Sequence, residues 1–119
     1  MKIYISLPMT GYTKTVKKRY DEAYKELKEK FGNGVVIAGP TNVDDFDDNG
    51  LDPNSPNHPW SWHMGEDVKV LLECDAIYLC QGWFNSEGCR IERSIAVTHN
   101  MSIYNQPNSD TFLPDAMKD

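Results

Sequence analysis

The sequence predicts an α/β fold built on a mainly parallel sheet of four to five strands with helices packed on it. Short apolar runs alternate with longer segments whose apolar residues recur every three or four positions. Gly and Pro bound the runs, and two of the runs are apolar almost throughout, as in strands covered on both faces. The length of 119 residues fits one domain, and a hydrophobic fraction of 39% with 25% charged residues is ordinary for a globular chain.

Lys2 to Ser6 reads as the opening strand, ended by the loop Leu7-Pro8-Met9-Thr10-Gly11. Thr13 to Phe31 reads as a helix: Val16, Tyr20, Ala23, Tyr24, Leu27 and Phe31 keep its period, with Thr13 or Thr15 as the cap and Gly32-Asn33-Gly34 as the stop. Val35 to Ala38 is the first buried-strand pattern. Thr41 to Pro59, rich in Asp, Asn, Pro and Gly, is too long for a simple connection and is expected to be a lid or insertion beside the pocket. Pro59 to Glu73 reads as the second helix, with Trp60 and Trp62 anchoring its start, and Asp75 to Cys80 as the next buried strand. Gln81 to Gly88 is a turn. Glu87 to Asn100 forms the third helix, with Ile91, Ile95 and Thr98 on one face. Met101 to Tyr104 is a last strand, and residues 105–119 form a polar, weakly structured tail with at most a turn of helix.

This order implies βαβ crossovers and a Rossmann/flavodoxin-like three-layer sandwich over residues 1–104. Ligands of such sheets bind beyond the carboxyl ends of the strands, at a switch point. The loops Leu7–Tyr12, Gly39–Pro59 and Gln81–Gly88 should therefore line the site.

The net charge of −6 argues against a partner of long nucleic acid, which rewards clustered Lys and Arg, but leaves room for a small anion held by backbone N–H groups. Cys74, Cys80 and Cys89 are odd in number and form no C-x-x-C pair, so reduced thiols in the cytoplasm are expected. No apolar run is long enough to span a membrane, and the first residues lack a signal peptide's apolar stretch. His58 and His63 are five apart, not a common helical metal pair, and His99 sits at a helix end; no metal is assigned to them.

The segment Gly82-Trp83-Phe84-Asn85-Ser86-Glu87-Gly88-Cys89-Arg90-Ile91-Glu92 carries the most chemistry. Gly88 permits close backbone approach, the helix start offers free N–H groups, and Ser86 adds a hydroxyl. That combination suits a phosphate or sugar hydroxyl, and equally a plain cap and turn. Glu92, one turn into the helix, can serve as nucleophile or base; read alone, a single helix Glu is more often a solvated charge paired with Arg90, Arg93 or a residue one turn away. Glu87 suits the helix dipole. Asp67 is a second carboxylate, either a general acid or a surface charge paired with Lys69. By pattern Tyr4 is core packing, and Trp83 and Phe84 either stack on a base or close the core.

Together these residues resemble the nucleoside 2-deoxyribosyltransferase-like superfamily, most of all its small uncharacterised bacterial and phage members. The resemblance spans roughly residues 1–104. It lies in Lys2-Ile3-Tyr4-Ile5-Ser6, in Pro8-Met9-Thr10-Gly11, in Asp67 to Asp75, and in Gly82-Trp83 through Ser86-x-Gly88-x-x-x-Glu92 and Ala96. It implies Glu92 as the nucleophile, Asp67 as the residue that contacts or protonates the leaving base, and Tyr4 as the hydroxyl that orients Glu92. It implies Ser6, Pro8, Met9, Gly11, Trp83, Asn85, Ser86 and Gly88 as substrate-binding positions. Ser86, where free-nucleoside transferases carry an acidic residue, points toward a 5′-monophosphate. Leu7 departs from the Gly common in relatives after the first-strand Ser, and the 41–59 loop matches no motif of theirs.

The expected function is cleavage or transfer at the N-glycosidic bond of a 2′-deoxyribonucleoside or its 5′-monophosphate, with no metal or organic cofactor, in a homo-oligomer whose neighbouring subunit completes the pocket. The alternatives are a nucleotide-sequestering protein and a protein-interaction module on the same fold.

Overall fold

The computed structural model describes residues 1–47, 50–51 and 59–119. β1 (Lys2–Ser6), β2 (Val36–Ala38), β5 (Ala76–Leu79) and β6 (Ser102–Asn105) form one all-parallel sheet in the order β2-β1-β5-β6. Helices α1 (Val16–Phe31), α2 (Trp60–Leu71) and α3 (Glu87–Thr98) connect its strands. The architecture is the α/β sandwich that the alternating pattern predicts. No helix among the described residues is long and apolar enough to cross a membrane.

Strand alternation sorts the core into two layers. Ile3 and Ile5 of β1 and Ala76 and Tyr78 of β5 pack with Ala23 and Leu27 of α1. Tyr4, Ile77 and Leu79 point the other way and pack with Leu71 of α2 and Ala96 of α3. The connection from β1 leads to β2 on one side, whereas β5 lies on the other. The crevice between the carboxyl ends of β1 and β5 is thus the switch point where α/β sheets place ligands.

Several elements differ from the sequence reading. The run Val35–Ala38 is not covered on both faces: β2 is an edge strand, and Val36 is 54% exposed. Continuous apolarity there reflects a short strand with one buried neighbour, Val35, just outside it. A 3-10 turn, Thr13–Thr15, precedes α1, so the N-cap is Thr15 and not Thr13, without a side-chain cap hydrogen bond. Thr15 holds the cap position, but its hydroxyl donates to the Tyr12 carbonyl at 3.4 Å and accepts from Arg19 Nε at 2.8 Å. The buried stripe of α3 is Cys89, Glu92 and Ala96; Ile91 and Ile95 are half-buried and Thr98 is exposed. Trp60 and Trp62 are 46% and 43% exposed, so they do not anchor α2 by burial.

Within the long loop, a 3-10 turn (Val43–Asp45) leads to a small antiparallel pair, β3 (Phe46–Asp47) with β4 (Gly50–Leu51). Val43 is buried against Val16 of α1. The rest of the expected lid, residues 48–49 and 52–58 with His58 among them, lies outside the described residues.

Residues 106–119 are not a loose tail. Gly82 N–H donates to the Ser109 carbonyl, Gln81 N–H to Gln106 Oε1, and Asp119 N–H to the Gly11 carbonyl. Ser109 and Leu113 are buried. The segment crosses the carboxyl edge of the sheet, with the expected turn of helix at Asp115–Met117.

Candidate active site

Two alternating side chains of β1 start the site. Tyr4 and Ser6 leave the same face of the strand, toward α2 and α3, and neither has any solvent exposure. Both hydroxyls donate to one carboxylate: Tyr4 to Glu92 Oε2 at 2.5 Å and Ser6 to Glu92 Oε1 at 2.8 Å. Glu92 is itself 4% exposed. The helix brings it there because Ser86 sets the start of α3, its Oγ accepting from Cys89 N–H at 3.3 Å, and Cys89, Glu92 and Ala96 then share the inward stripe. The surface-charge reading of Glu92 does not hold: Arg90 and Arg93 are on the exposed side, and Arg93 lies over the Trp83 ring at 5.3 Å.

Asp67 occupies the inward face of α2 one turn before the core residue Leu71, and is 8% exposed. The backbone N–H and hydroxyl of Thr41, just beyond β2, donate to its Oδ1 at 2.9 and 3.2 Å. Lys69 pairs with Glu66 instead of Asp67. Glu92 and Asp67 open onto one cavity of about 630 Å³ at the switch point.

Burial dominates the electrostatics. It pushes the Glu92 carboxyl up to about 7, against the lowering hydrogen bonds from Tyr4 and Ser6 and together with the charge of Asp67. Burial also raises Asp67, while Thr41 and His63 pull it down. The Tyr4 phenol is raised well above its usual value by burial and by the charges of Glu92 and Asp67, so it stays a donor. Burial pushes the Cys89 thiol up to about 12, which leaves it unreactive as a thiolate.

Of the sequence-derived site residues, Pro8 and Met9 line the cavity from the first loop, and Asn85, Ser86 and Gly88 line it from the third. Tyr4 and Ser6 sit behind Glu92 and are not in the cavity wall, where Ser6 braces the carboxylate. Gly11 and Trp83 are not in the wall. Gly11 accepts from Asp119 N–H, and Trp83 packs on the Tyr4 layer of the core.

Other wall residues were not singled out by the sequence. Asn42 follows the edge strand in the Gly39–Pro59 loop, which was expected to line the site but carries no motif that marks this residue. Trp60, His63 and Met64 contribute the first turns of α2. Phe112 and Leu113 come from the carboxyl-terminal segment, which has no periodicity to announce them. Gly82, at φ +79°, is the glycine that geometry demands: an added Cβ would lie 3.2 Å from Leu113 Cγ.

Fold and site together define a flavodoxin-like α/β protein with a two-carboxylate pocket at its switch point. The sequence profile described as Domain of unknown function (DUF4406) matches residues 1–105, and the chain belongs to that family. A search of curated proteins finds no match.

Proposed function

We propose that this protein cleaves or transfers the N-glycosidic bond of a 2′-deoxyribonucleoside or its 5′-monophosphate, with Glu92 as nucleophile. The observation that carries the reading is the pairing of two buried carboxylates on one cavity, one of them held at both oxygens by hydroxyl donors. A carboxylate fixed in this way has its rotamer set before a sugar arrives.

In the first step a Glu92 oxygen attacks C1′ as the bond from C1′ to the base nitrogen breaks. The bonding pair leaves with the base, and the Asp67 carboxyl gives that nitrogen a proton. A glycosyl ester on Glu92 results. In the second step water attacks C1′, the ester bond breaks, and Asp67 takes the proton from water; a second base in place of water gives transfer. Hydrogen bonds from Tyr4 and Ser6 favour the ionised Glu92 that attack needs, and they withdraw negative charge less as the ester forms. The first turn of α3 presents backbone N–H groups to the cavity beside Ser86, whose hydroxyl hydrogen remains available to a phosphate oxygen.

The test is base release from the four deoxynucleosides and their 5′-monophosphates, with and without a second free base. The parent should release base, and Glu92→Gln should lose the activity by at least ~10³-fold, the scale of a lost nucleophile. Tight nucleotide binding with no turnover, kept in Glu92→Ala, would replace the enzyme by a sequestering protein.

A further inference from the structure

The resemblance implies that a second subunit completes the pocket, yet this chain carries a wall of its own. Residues 106–119 are latched to both loops at the switch point. On the third loop, Gln81 Nε2 donates to Thr111 Oγ1 and to the Phe112 carbonyl, each at 3.1 Å, and Asn108 Nδ2 donates to Gln81 Oε1 at 2.9 Å. On the first loop, Asp119 accepts from Thr13 Oγ1 at 2.9 Å and from Lys14 N–H at 3.3 Å, capping the 3-10 turn before α1. Between the latches, Leu113 is buried against Gly82, whereas Phe112 is 66% exposed at the cavity. Among the described residues, Phe112 meets the Phe84 ring in a T-shaped contact at 4.9 Å. A large apolar side chain fixed by its neighbours and left open toward a cavity fits a stacking contact with a planar ring.

We propose that the carboxyl-terminal strap is a working wall of the site supplied in cis, with Phe112 stacking on the planar, apolar part of the ligand and the Gln81 and Asp119 latches setting the gap between the first and third loops. This rests on the reading of the pocket as a nucleotide site. Leu113 holds the strap down, so its role is structural, and Phe112 is the side chain that touches the ligand. The energetic logic is preorganisation: the latches order Phe112 before the ligand binds, so less ordering remains to be done at that moment.

Two measurements separate the latch from the ligand contact. The Thr13→Cys/Asp119→Cys protein, oxidised at low concentration, should run on a non-reducing gel as a crosslinked single chain. Disulfide-linked dimers, or no crosslink, overturn closure in cis. Titration calorimetry with 2′-deoxyadenosine and 2′-deoxyguanosine 5′-monophosphate reads the second part. Phe112→Ala should weaken binding by about tenfold, the loss of one base-stacking contact, with melting temperature little changed, and Phe112→Trp should restore the affinity. Unchanged affinity in Phe112→Ala overturns the contact. A parent that binds neither nucleotide overturns the role of Phe112, while base release from the full set of deoxynucleosides and 5′-monophosphates decides the proposed function and the gel decides the latch.

Discussion

Glu92 is a carboxylate in a place that resists its charge. Its folded-state pKa, about 7, stands above the usual 4.5. In the folded state it therefore binds a proton over a pH range where the unfolded chain has lost it. The contribution of this group to stability is complete below pH ~4.5 and is lost as pH rises toward ~7, a change on the order of 3 kcal/mol. Glu92→Gln removes that dependence, because Gln has no charge to bury; its amide oxygen accepts from one hydroxyl and its NH2 donates to the other. Denaturant unfolding should show the variant gaining on the parent between pH 5 and 8, as its turnover disappears. In the proposed reaction the same pKa governs the rate. Attack needs ionised Glu92 and protonated Asp67, so base release should follow a bell-shaped pH profile whose limbs belong to the coupled pair. Tyr4→Phe deletes a donor that favours the ionised form. The limb that Glu92 dominates should move to higher pH, and kcat should fall by ~10–100-fold, a loss on the scale of one removed hydrogen bond to a charge. A profile with both limbs unmoved in that variant would detach Tyr4 from Glu92. Reading Tyr4 as core packing by pattern was half of its physics: it is fully buried, and its hydroxyl is also part of the site.

At the scale of elements, α3 does the positioning. Its register is set by Ser86, and a shift of one residue would carry Glu92 off the inward stripe. Ser86→Ala should lower unfolding free energy by ~1 kcal/mol, the loss of a cap, and should weaken binding of 5′-monophosphates more than of nucleosides. Equal losses for both ligand types would make Ser86 a cap only. Beside β2, Gly39 lets Tyr20 of α1 lie against the backbone, and a Cβ there would fall within 2.4 Å of the Tyr20 ring. Gly39→Ala should destabilise by ~1–3 kcal/mol, an overpacking effect measurable in denaturant. The strands and helices were legible because β1 and β5 are short, mostly apolar runs bounded by turn residues, and α1 recurs at three and four. The inward face of α3 was misread for a physical reason. Two of its buried positions are a cysteine and a glutamate, whereas Ile91 and Ile95, the apolar candidates, lie at the flank. A buried carboxylate breaks the rule that apolar residues mark the core, and it does so where the candidate site is.

The whole molecule places its pocket where a parallel sheet of order β2-β1-β5-β6 divides its crossovers, and this was predictable from element order alone. Its walls were less so. The Gly39–Pro59 loop was expected there, but its wall residue Asn42 sits in no motif, and the strap with Phe112 and Leu113 reaches the pocket through loop hydrogen bonds that no local pattern encodes. A chain of 119 residues has a modest core, and the strap adds Ser109 and Leu113 to it while walling the cavity. Sheet, helices and strap serve one arrangement, a buried carboxylate locked at the edge of a cavity. The most direct test is intact-protein mass spectrometry after acid quench of the parent with 2′-deoxynucleoside 5′-monophosphates. A mass gain of one deoxyribose 5-phosphate unit, mapped to the peptide that contains Glu92 and missing in Glu92→Gln, is the predicted result. Base release that proceeds undiminished in Glu92→Gln, with no adduct in either protein, would contradict the account.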